Sequence, residues 1–472
     1  MAQFELAVIG AGIAGLNALY SAAGYLAPKA KILLVDRNAG PGGMWRNSYP
    51  FVRLHQPHGS FTVGDMAWNW KKPAEYLARG NEVVAHLAQC YSELSERLEI
   101  ETRFETECAD LTEDAAMVHI RLISDAKAET VTAKRVIHAA GFDIPQLSPL
   151  KLSSQNVVST TPSAMDTASN APAFVIGGGK TGMDACHELI MANPSRPVTL
   201  LNGKGTVFVS RDLTLPTGLP RIWRGHLVLA VFRDIAMEFD GQNYQDVFDL
   251  FRKTYTIRVG DAGEQFFYGL LSEGERDRIE NGLTAIISDY FQDVVDGEGG
   301  PEILTRNGTR LPVPPDAQVI NCTGHVLRQE RSAEPCLSQG GRVLTITPRS
   351  AVHFLSSVSA YFLPHLFLTD TLRQSDLFEV DLDALRRIDR KLLYATATTA
   401  TFYNTVALID AVPFRVLDSC GLDLDRWFPL HRRLATLIDV KFHRKKYLSH
   451  ARAALEQVAC DHDIRIRPIA AG

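Results

Sequence analysis

Two copies of one strand–glycine–helix pattern predict an α/β fold with two Rossmann-like dinucleotide-binding domains. Each copy has a short apolar run, three glycines in the spacing G-x-G-x-x-G, and a segment that can continue as a helix. The six motif glycines are Gly10, Gly12, Gly15, Gly177, Gly179 and Gly182. We expect the second domain, residues 165–324, to be inserted in the first, which would comprise residues 1–160 and 325–472.

The first copy starts with an apolar strand that runs directly into its glycines. In such a motif the first glycine allows a tight turn, the second lets a diphosphate approach the backbone, and the third lets helix and strand pack closely. Asp36 ends the next apolar run at the spacing expected for a carboxylate that binds ribose. A glycine-rich turn that binds nothing is the alternative, and Asp36 argues against it.

Size and composition exclude several classes of protein. The chain has 472 residues, enough for two or three domains, and a formal net charge of -5, which argues against a nucleic-acid-binding protein. It opens on a strand, so we expect no signal peptide. The seven cysteines are dispersed, without a C-x-x-C or zinc pattern. These observations predict a cytoplasmic protein with structural thiols and no metal site.

Two loops after Asp36 have residue types that line pockets. Residues 37–45 are rich in glycine and end in Trp45, although a surface turn with a core tryptophan would look the same. The second loop contains His55, Gln56 and His58. A metal site would need a third ligand, so we interpret this loop as polar lining of a cofactor or substrate pocket. These three residues are the candidate catalytic side chains.

The segments between the two glycine motifs predict further elements of the first domain. Hydrophobic residues recur at helical spacing within residues 73–97, which predicts an amphipathic helix. Strands are expected over residues 99–108, 117–123 and 131–139. The last strand leads into small residues and Gly141, where a chain can pass close to a bound cofactor. Residues 146–170 are rich in Ser, Thr, Pro and Asn and predict a connector.

The second copy differs from the first at the end of its second strand. This strand ends at Asn202 rather than at a carboxylate, with Lys204 and Arg211 nearby in the sequence. A carboxylate at this position would repel a 2′-phosphate, so the amide and the cations favour NADP over NAD. The alternative is that both cations are solvated loop charges.

The remainder of the chain predicts an insert and a helical end. Residues 213–292 mix aromatic and long polar side chains, and we expect a mainly helical insert that faces the substrate, although it could be plain core. Residues 351–369 predict a pair of buried strands rather than a membrane-spanning helix, the last ending at Asp370. Helices are expected near residues 381–395, 398–412 and 429–459. We interpret the basic cluster from Lys441 to Lys446 as a solvated helix face, and a contact with an acidic partner or a membrane is the alternative.

Two dinucleotide sites, one with a carboxylate and one without, predict binding of FAD and NADPH in one chain. With these features the sequence resembles the two-dinucleotide-binding-domain flavoproteins, and among them the class B flavin-dependent monooxygenases, which include flavin-containing, N-hydroxylating and Baeyer–Villiger enzymes. The motifs that carry the resemblance are Gly10–Gly15, Gly42–Trp45, Leu54–Pro57, Ala139–Phe142, Gly177–Gly182 and Cys322–Gly324. They cover most of residues 1–210 and 315–375, but neither the insert nor the C-terminal hundred residues.

The resemblance implies a role for a set of residues at each cofactor. At FAD it implies Gly10, Gly12, Ala14, Gly15, Asp36, Arg37, Gly43, Met44, Trp45, His55, Gln56, Cys108, Ala140, Gly141, Asp370 and Thr371, with Asp370 and Thr371 the loosest match. At NADPH it implies Gly177, Gly179, Lys180, Thr181, Gly182, Asn202, Lys204, Arg211, Thr323 and Gly324. The implied reaction is transfer of one oxygen atom from O2 to a small organic substrate through a flavin C4a-(hydro)peroxide.

One departure from the family pattern keeps two other functions open. These monooxygenases usually carry a fingerprint of aromatic, glycine and histidine residues before the second glycine motif, and Val158–Met165 has none of them. The alternatives are an NADPH-dependent FAD reductase without oxygen transfer and a non-catalytic flavin- or NADP-binding regulatory protein. A disulfide reductase is disfavoured because its cysteine pair has no counterpart near the first glycine motif. Oligomerisation is possible, but the sequence does not predict an oligomeric state.

Overall fold

The computed structural model of the protein describes residues 3–125, 127–141, 144, 146–324, 333–347 and 351–469. The strands, in chain order, are β1 Gln3–Ile9, β2 Lys31–Val35, β3 Glu99–Arg103, β4 Glu107–Glu113, β5 Val118–Ser124, β6 Lys127–His138, β7 Val158–Thr160, β8 Ala173–Ile176, β9 Val198–Leu201, β10 Thr206–Ser210, β11 Thr256–Arg258, β12 Gln265–Leu271, β13 Ala285–Ile287, β14 Phe291–Gly297, β15 Gly300–Thr305, β16 Arg310–Pro312, β17 Gln318–Asn321, β18 Val343–Thr345, β19 Phe378–Val380 and β20 Ile466–Pro468. The helices are α1 Ile13–Ala23, α2 Gly80–Arg97, α3 Lys180–Ala192, α4 Arg211–Thr214, α5 Val228–Glu238, α6 Tyr244–Tyr255, α7 Glu273–Gly282, α8 Ser356–Leu368, α9 Leu382–Ile388, α10 Arg390–Ala411, α11 Phe414–Asp418 and α12 Leu430–His462.

The first sheet has the order β3-β2-β1-β6-β5-β4, and β18 pairs with β6 off this path. Its central strand β1 is parallel to β2 and β6, and Leu6, Ala7 and Val8 are completely buried. A continuous apolar run of this kind is typical of a parallel strand that is covered on both faces. Strand β18 pairs Val343 with Val136, so the chain returns to this sheet after it has formed the second one.

The second sheet is parallel throughout, in the order β13-β9-β8-β17-β7. Helix α3 follows β8 as α1 follows β1, and each pair is joined by a glycine motif. The predicted fold class, α/β with two Rossmann-like domains, is confirmed by this topology. The carboxyl ends of β1 and β8 are therefore the places to look for bound ligands.

The insert contains the predicted helices together with short strands. Helices α5, α6 and α7 alternate with strands, and β10, β11 and β12 form a separate three-stranded sheet. Strand β12 has the sequence QFFYGLL, and its aromatic residues favour a strand. Periodicity alone cannot assign this aromatic segment to a helix or a strand, because the segment is short.

Residues 356–368 form helix α8, which corrects the prediction of two buried strands over residues 351–369. This helix packs against α1, and the Ser21 hydroxyl donates to the Tyr361 carbonyl at 2.7 Å. Because α8 is apolar on nearly all sides and contains Pro364, its sequence shows neither a helical nor a strand periodicity. Among the helices of the described residues, none is both long and apolar enough to cross a membrane.

The C-terminal part is helical, as predicted. Helix α10 is one helix of 22 residues, and most of its residues are buried between α5, α6, α9 and α12. The long helix α12 packs on α10 and α5. Strands β19 and β20 join the two ends of this helical part.

Candidate functional site

The first glycine motif forms a tight turn between β1 and α1. Gly10 has a φ of +109°, and a side chain there would place its Cβ 2.4 Å from the Ala139 carbonyl oxygen. A Cβ on Gly15 would lie 1.7 Å from the Gly10 oxygen, so only glycine allows this contact between helix and strand. No side chain caps the N-terminus of α1 at Gly12, which leaves its first N–H groups available to an anion.

Asp36 follows β2 and lies against this turn. Its carboxylate accepts hydrogen bonds from the Ala11 N–H at 2.6 Å and from the Asn38 N–H at 2.7 Å. The Asn38 side-chain amide donates to it as well, at 2.9 Å. A carboxylate has about four lone-pair sites, so one remains for a ribose hydroxyl. Asp36 thus stands where the sequence placed it.

The second glycine motif repeats this geometry. Gly177 has a φ of +122°, and its Cβ would lie 2.7 Å from the Cys322 carbonyl oxygen, as Gly10 does at Ala139. A Cβ on Gly182 would lie 1.9 Å from the Gly177 oxygen. A Cβ on Gly179 would meet nothing within 4 Å, so there is space beside the N-terminus of α3. This terminus also lacks a side-chain cap.

Asn202 follows β9 and contacts the second turn. A Cβ on Gly178 would lie 2.8 Å from the Asn202 Cβ. Asn202 is buried, and its side-chain oxygen is without a hydrogen-bond partner among the described residues. A buried polar atom without a partner is costly, and a ligand that donates a hydrogen bond would remove this cost. This free acceptor at the second turn therefore fits a nucleotide ribose, whose hydroxyl groups donate hydrogen bonds.

The cations that the sequence assigned to this strand end have other contacts. Lys204 forms an exposed salt bridge with Glu264 at 3.2 Å. Arg211 pairs with Glu275 and donates from Nε to the His55 carbonyl at 3.0 Å. Arg211 thus joins the second domain to the His55 loop, and the contacts of Lys204 and Arg211 with NADPH stay predictions. Lys180 of the glycine motif pairs with Asp184.

Several of these charged groups meet where the two domains face each other. Tyr49 of the first domain donates to the Asp184 carboxylate at 2.7 Å, and burial raises the Tyr49 pKa. A cleft of about 240 Å³ opens here. Its lining includes Phe51, Arg53, Lys180, His187, Glu275 and Arg278. The cleft lies beside the helix that starts at the second glycine motif. Sequence reasoning missed Tyr49, Asp184 and Glu275, which no short motif marks.

The two histidines of the predicted polar loop lie in different surroundings. Burial, together with the charges of Lys180 and Arg211, lowers the His55 pKa to about 3, so His55 is neutral at physiological pH. His58 is buried, bonds the Tyr76 carbonyl at 3.1 Å through Nδ1, and packs edge-on against Trp68 and Trp70. These contacts make His58 part of an aromatic core. Its place among the candidate catalytic residues is corrected on this ground, while half-buried Gln56 stays a prediction.

The glycine-dense loop packs directly on the first glycine motif. The Gly42 N–H donates to the Ala11 carbonyl at 3.0 Å, and a Cβ on Gly43 would lie 2.9 Å from the Gly12 Cα. The Trp45 ring lies edge-on to Phe61, with centroids 5.6 Å apart. Met44 is exposed. The loop is thus in position to border a ligand at the first turn, and the contacts of Ala14, Arg37, Met44 and Trp45 with a cofactor stay predictions.

Asp370 and Thr371 lie beyond the last turn of α8 rather than at the end of a strand. The Asp370 carboxylate accepts two hydrogen bonds from Arg135, at 2.8 and 3.0 Å, and Thr371 bonds to Thr369 at 2.9 Å. The expected position beside the flavin assumed a strand that ends at the sheet edge. The segment is a helix, which removes that basis for the assignment, and the contact of both residues with a cofactor stays a prediction.

Of the other residues implied by the resemblance, Ala140, Gly141, Thr323 and Gly324 lie in loops after β6 and β17, whereas Thr181 lies in α3. Gly141 has a φ of +68°, and Ala139, adjacent to Ala140, is the residue that Gly10 contacts. Thr323 follows Cys322, and its hydroxyl donates to Asn321 at 2.6 Å, whereas Gly324 packs on Leu147. Half-buried Cys108 lies on β4. Phe142 lies outside the described residues. The roles of Ala140, Gly141, Thr323, Gly324, Thr181 and Cys108 stay predictions.

Two groups of residues near these sites escaped sequence reasoning. His353 stacks on Phe354, which also stacks on Tyr268 of β12 with centroids 5.5 Å apart. Burial lowers the His353 pKa to about 3, and both His353 and Tyr268 are half-buried. In the second domain, the Arg306 guanidinium lies 4.4 Å above the Tyr290 ring, which contacts Gly203 just after Asn202. Both groups join residues that are distant in the sequence.

Among the described residues, the cysteines form no reactive pair and the usual metal-binding side chains form no metal site. All seven cysteines are free, and burial raises the pKa of Cys186 and of Cys322. Such thiols are inert, unlike the cysteine pair of a disulfide reductase. No group of three His, Cys, Asp or Glu side chains in the described part of the chain is placed to hold a metal ion.

Comparison with known proteins places this geometry in context. The family model "pyridine nucleotide-disulphide oxidoreductase" matches residues 7–214. Uncharacterized proteins of Mycobacterium tuberculosis and Mycobacterium bovis are 26% identical over 358 residues, which cover 71% of this chain. The match spans 62% of the length of those relatives.

Two solved structures share the fold at low sequence identity. The open form of cyclohexanone monooxygenase is 14% identical, covers 87% of this chain and 98% of its own, and has a TM-score of 0.53. OTEMO in complex with FAD and NADP is 13% identical, covers 83% of this chain and 92% of its own, and has a TM-score of 0.50. These matches agree with the resemblance drawn from the motifs: the fold is that of the two-domain, flavin-dependent oxidoreductases and monooxygenases.

Proposed function

We propose that the chain is an NADPH-dependent FAD monooxygenase that transfers one oxygen atom from O2 to a small organic substrate. The observation that carries the proposal is the pair of matching glycine turns with different residues at the strand end, Asp36 in the first and Asn202 in the second. A carboxylate suits the ribose of FAD, and an amide tolerates the 2′-phosphate of NADPH. These residues would hold FAD and NADPH, which would supply hydride transfer and the activation of O2.

The residues of the chain supply binding and orientation for this chemistry. The uncapped N–H groups of α1 and α3 would each hold a diphosphate, and Asp36 and Asn202 would each bind a ribose. The FAD of the OTEMO complex supports the assignment of the first site, and its NADP supports the second. Arg306 on Tyr290 offers a guanidinium near Asn202 for the 2′-phosphate.

The contacts between the domains would fix the distance between the two cofactors. Arg211 reaches from the second domain to the His55 carbonyl, and Tyr49 reaches from the first domain to Asp184. Asp184 lines the cleft beside α3, and so does Glu275, the ion-pair partner of Arg211. The nicotinamide would lie in this cleft. His55 is neutral and is therefore suited to a hydrogen bond rather than to general acid catalysis.

Water has to be kept from the reacting centre of a monooxygenase. The stacked aromatic side chains of Tyr268 and Phe354 form an apolar wall next to His353. Tyr268 belongs to the insert, which the sequence predicted to face the substrate. We infer that this wall contacts an at least partly apolar substrate.

The test follows the electrons from NADPH. The purified protein is mixed with NADPH without oxygen, and bleaching of the flavin absorbance is recorded. O2 is then admitted with a panel of amines, sulfides and ketones, and the NADPH consumed is compared with the oxygenated product and the hydrogen peroxide formed. An oxygenated product in proportion to NADPH supports a monooxygenase. Bound flavin that NADPH does not bleach would contradict both a monooxygenase and a reductase.

A reductase without oxygen transfer is the second candidate. It is favoured by the stretch Val158–Met165, which lacks the aromatic, glycine and histidine fingerprint of the family. This candidate predicts rapid NADPH oxidation with stoichiometric hydrogen peroxide and without an oxygenated product from the panel. The same experiment therefore separates the two functions.

A further inference from the structure

Helix α12 carries a row of large apolar side chains that face outward. Leu430, Leu434, Ile438 and Phe442 are 62%, 42%, 54% and 83% exposed. Residues four positions apart lie on the same side of a helix, so the four side chains form one strip. The other side of α12, which includes Val440 and Tyr447, is buried. Contiguous exposed apolar surface of this kind marks an interaction site.

Positive charge surrounds this row. From Leu430 to Arg452 the helix has seven Lys and Arg residues and one carboxylate, Asp439. Asp439 is engaged by Arg233 at 2.8 Å. Lys441, Lys445 and Lys446 are exposed, and none of them forms a salt bridge with another residue that the structure describes. The local charge is thus opposite in sign to the net charge of the chain.

A loop beside the first turns of α12 extends the apolar surface. Leu219, Ile222 and Trp223 are exposed there, Leu219 by 68% and Trp223 by 62%. The Arg432 guanidinium holds the loop by donating to the Gly225 carbonyl at 2.7 Å and to the Arg221 carbonyl at 3.3 Å. The row, the three lysines and this loop together are called the α12 surface below.

We propose that the α12 surface binds an anionic lipid bilayer. A helix with an apolar strip and flanking lysines lies in the plane of a membrane, with the apolar side chains below the headgroups. Lysine ammonium groups reach lipid phosphates while their stems stay among apolar atoms, and tryptophan favours the headgroup region. The surface places Phe442 among Lys441, Lys445 and Lys446, and Trp223 at its other end.

A second copy of the chain fits this surface less well. If two α12 rows were paired about a two-fold axis, the lysines of one copy would face Arg432, Arg433 and the lysines of the other. Like charges across an interface are unfavourable, and the one carboxylate of this stretch is already paired. Anionic lipid complements both the apolar and the charged part of the surface.

The test is co-sedimentation of the purified full-length protein with vesicles. Vesicles of phosphatidylcholine with phosphatidylglycerol are compared with vesicles of phosphatidylcholine alone. We expect binding to the anionic vesicles only, and a loss of binding when salt is raised from about 0.1 M to about 1 M, since screening becomes about three times shorter in range. Binding to both vesicle types alike, or to neither, would overturn the proposal.

Variants separate the two parts of the surface. Replacing Lys441, Lys445 and Lys446 with Ser should weaken vesicle binding about a hundredfold, because each lysine contributes about fivefold to the binding constant. Phe442→Glu should weaken it about tenfold or more, because a phenyl group leaves the acyl region. Met191→Glu is the matched control: Met191 is 54% exposed at the end of α3, and this variant should bind like the wild type.

A measurement of the oligomeric state tests the competing occupant of the α12 surface, a second copy of the chain. Light scattering after size-exclusion chromatography should give the same mass for the wild type and for Phe442→Glu in the absence of vesicles. A wild-type dimer that Phe442→Glu converts to a monomer would overturn the proposal in favour of a second copy of the chain.

Discussion

At the scale of single residues, the two glycine turns show how a missing side chain creates a binding site. Gly10 and Gly177 exclude a Cβ because a neighbouring carbonyl lies within 3 Å, and Gly15 and Gly182 exclude one because the helix rests on the strand. Gly179 is different, because a Cβ there would point into open space. The absence of a side chain at position 179 therefore matters for a ligand and not for the fold.

Gly179→Ala should weaken NADPH binding with at most a small loss of stability. The added methyl group would occupy space that a diphosphate needs, and alanine can adopt the extended backbone of Gly179 although it is a poorer N-cap than glycine. We expect the Kd for NADPH to rise about tenfold, or about 1.4 kcal/mol, in a fluorescence titration. Gly274→Ala on α7 is the control, since a Cβ there also meets nothing within 4 Å. An unchanged Kd would place the diphosphate elsewhere.

Asn202→Asp should shift the preference from NADPH toward NADH. The variant restores at the second turn the carboxylate that Asp36 supplies at the first, and a carboxylate repels a 2′-phosphate while it binds a free 2′-hydroxyl. We expect the ratio of kcat/KM for NADPH over NADH to fall about tenfold or more, or about 1.4 kcal/mol. Asn81→Asp adds the same charge at an exposed position of α2 and should leave the ratio of kcat/KM for NADPH over NADH unchanged. A ratio that stays constant in both variants would argue against a ribose at Asn202.

At the scale of elements, α5 depends on a carboxylate from another part of the chain. Asp425 is buried and accepts hydrogen bonds from the Val228 N–H at 2.5 Å and the Leu229 N–H at 3.2 Å. These N–H groups open α5, where the helix itself offers no acceptor. Burial beside Asp423 raises the Asp425 pKa. The contact ties the insert to the C-terminal helices.

Asp425→Ala should lower the free energy of unfolding by about 1 to 3 kcal/mol, because two buried N–H groups lose their acceptor. Asp425→Asn keeps one acceptor oxygen and should recover part of the loss. Urea denaturation measures both, with Asp418→Ala at an exposed position as the control. Equal stability of Asp425→Ala and the control would mean that water replaces the carboxylate.

How far the sequence predicts an element depends on whether its environment is regular. Strands β1 and β8, both glycine turns, Asp36 and Asn202 follow from local pattern, because a short motif determines each of them. Helix α8 does not, since it is buried on nearly all sides and carries Pro364, so its residues show no period. The contacts of Arg211 and His58 depend on segments distant in the sequence, so no local pattern could predict them.

At the scale of the whole molecule, buried histidines link stability to pH. Burial lowers the pKa of His55 and His353 to about 3 and of His86 and His365 to about 4. The unfolded chain has histidines of pKa about 6.5, so it takes up protons first as the pH falls. The folded state therefore loses stability between about pH 6.5 and pH 4.

Denaturation at about pH 7 and at about pH 5 should show this loss, on the order of 1 kcal/mol for each buried histidine. Asp423 and Asp425 act in the opposite direction because burial raises their pKa values, but they are two groups against four. His86→Phe keeps the stacking on Trp68 and should reduce the pH dependence, whereas His431→Gln at an exposed position should not. A stability that does not vary over this range would contradict neutral burial of these rings.

The return of β18 to the first sheet has a consequence for synthesis on the ribosome. The second sheet can be complete once β17 has left the exit tunnel, whereas β6 must wait for β18, more than two hundred positions after it. Until then the β6 edge, with Val136 and Ile137, has no partner on that side. Non-local pairings of this kind form late, and an open apolar edge is prone to misassociation. The inserted domain is thus expected to fold first during translation, with the domain around it closing last.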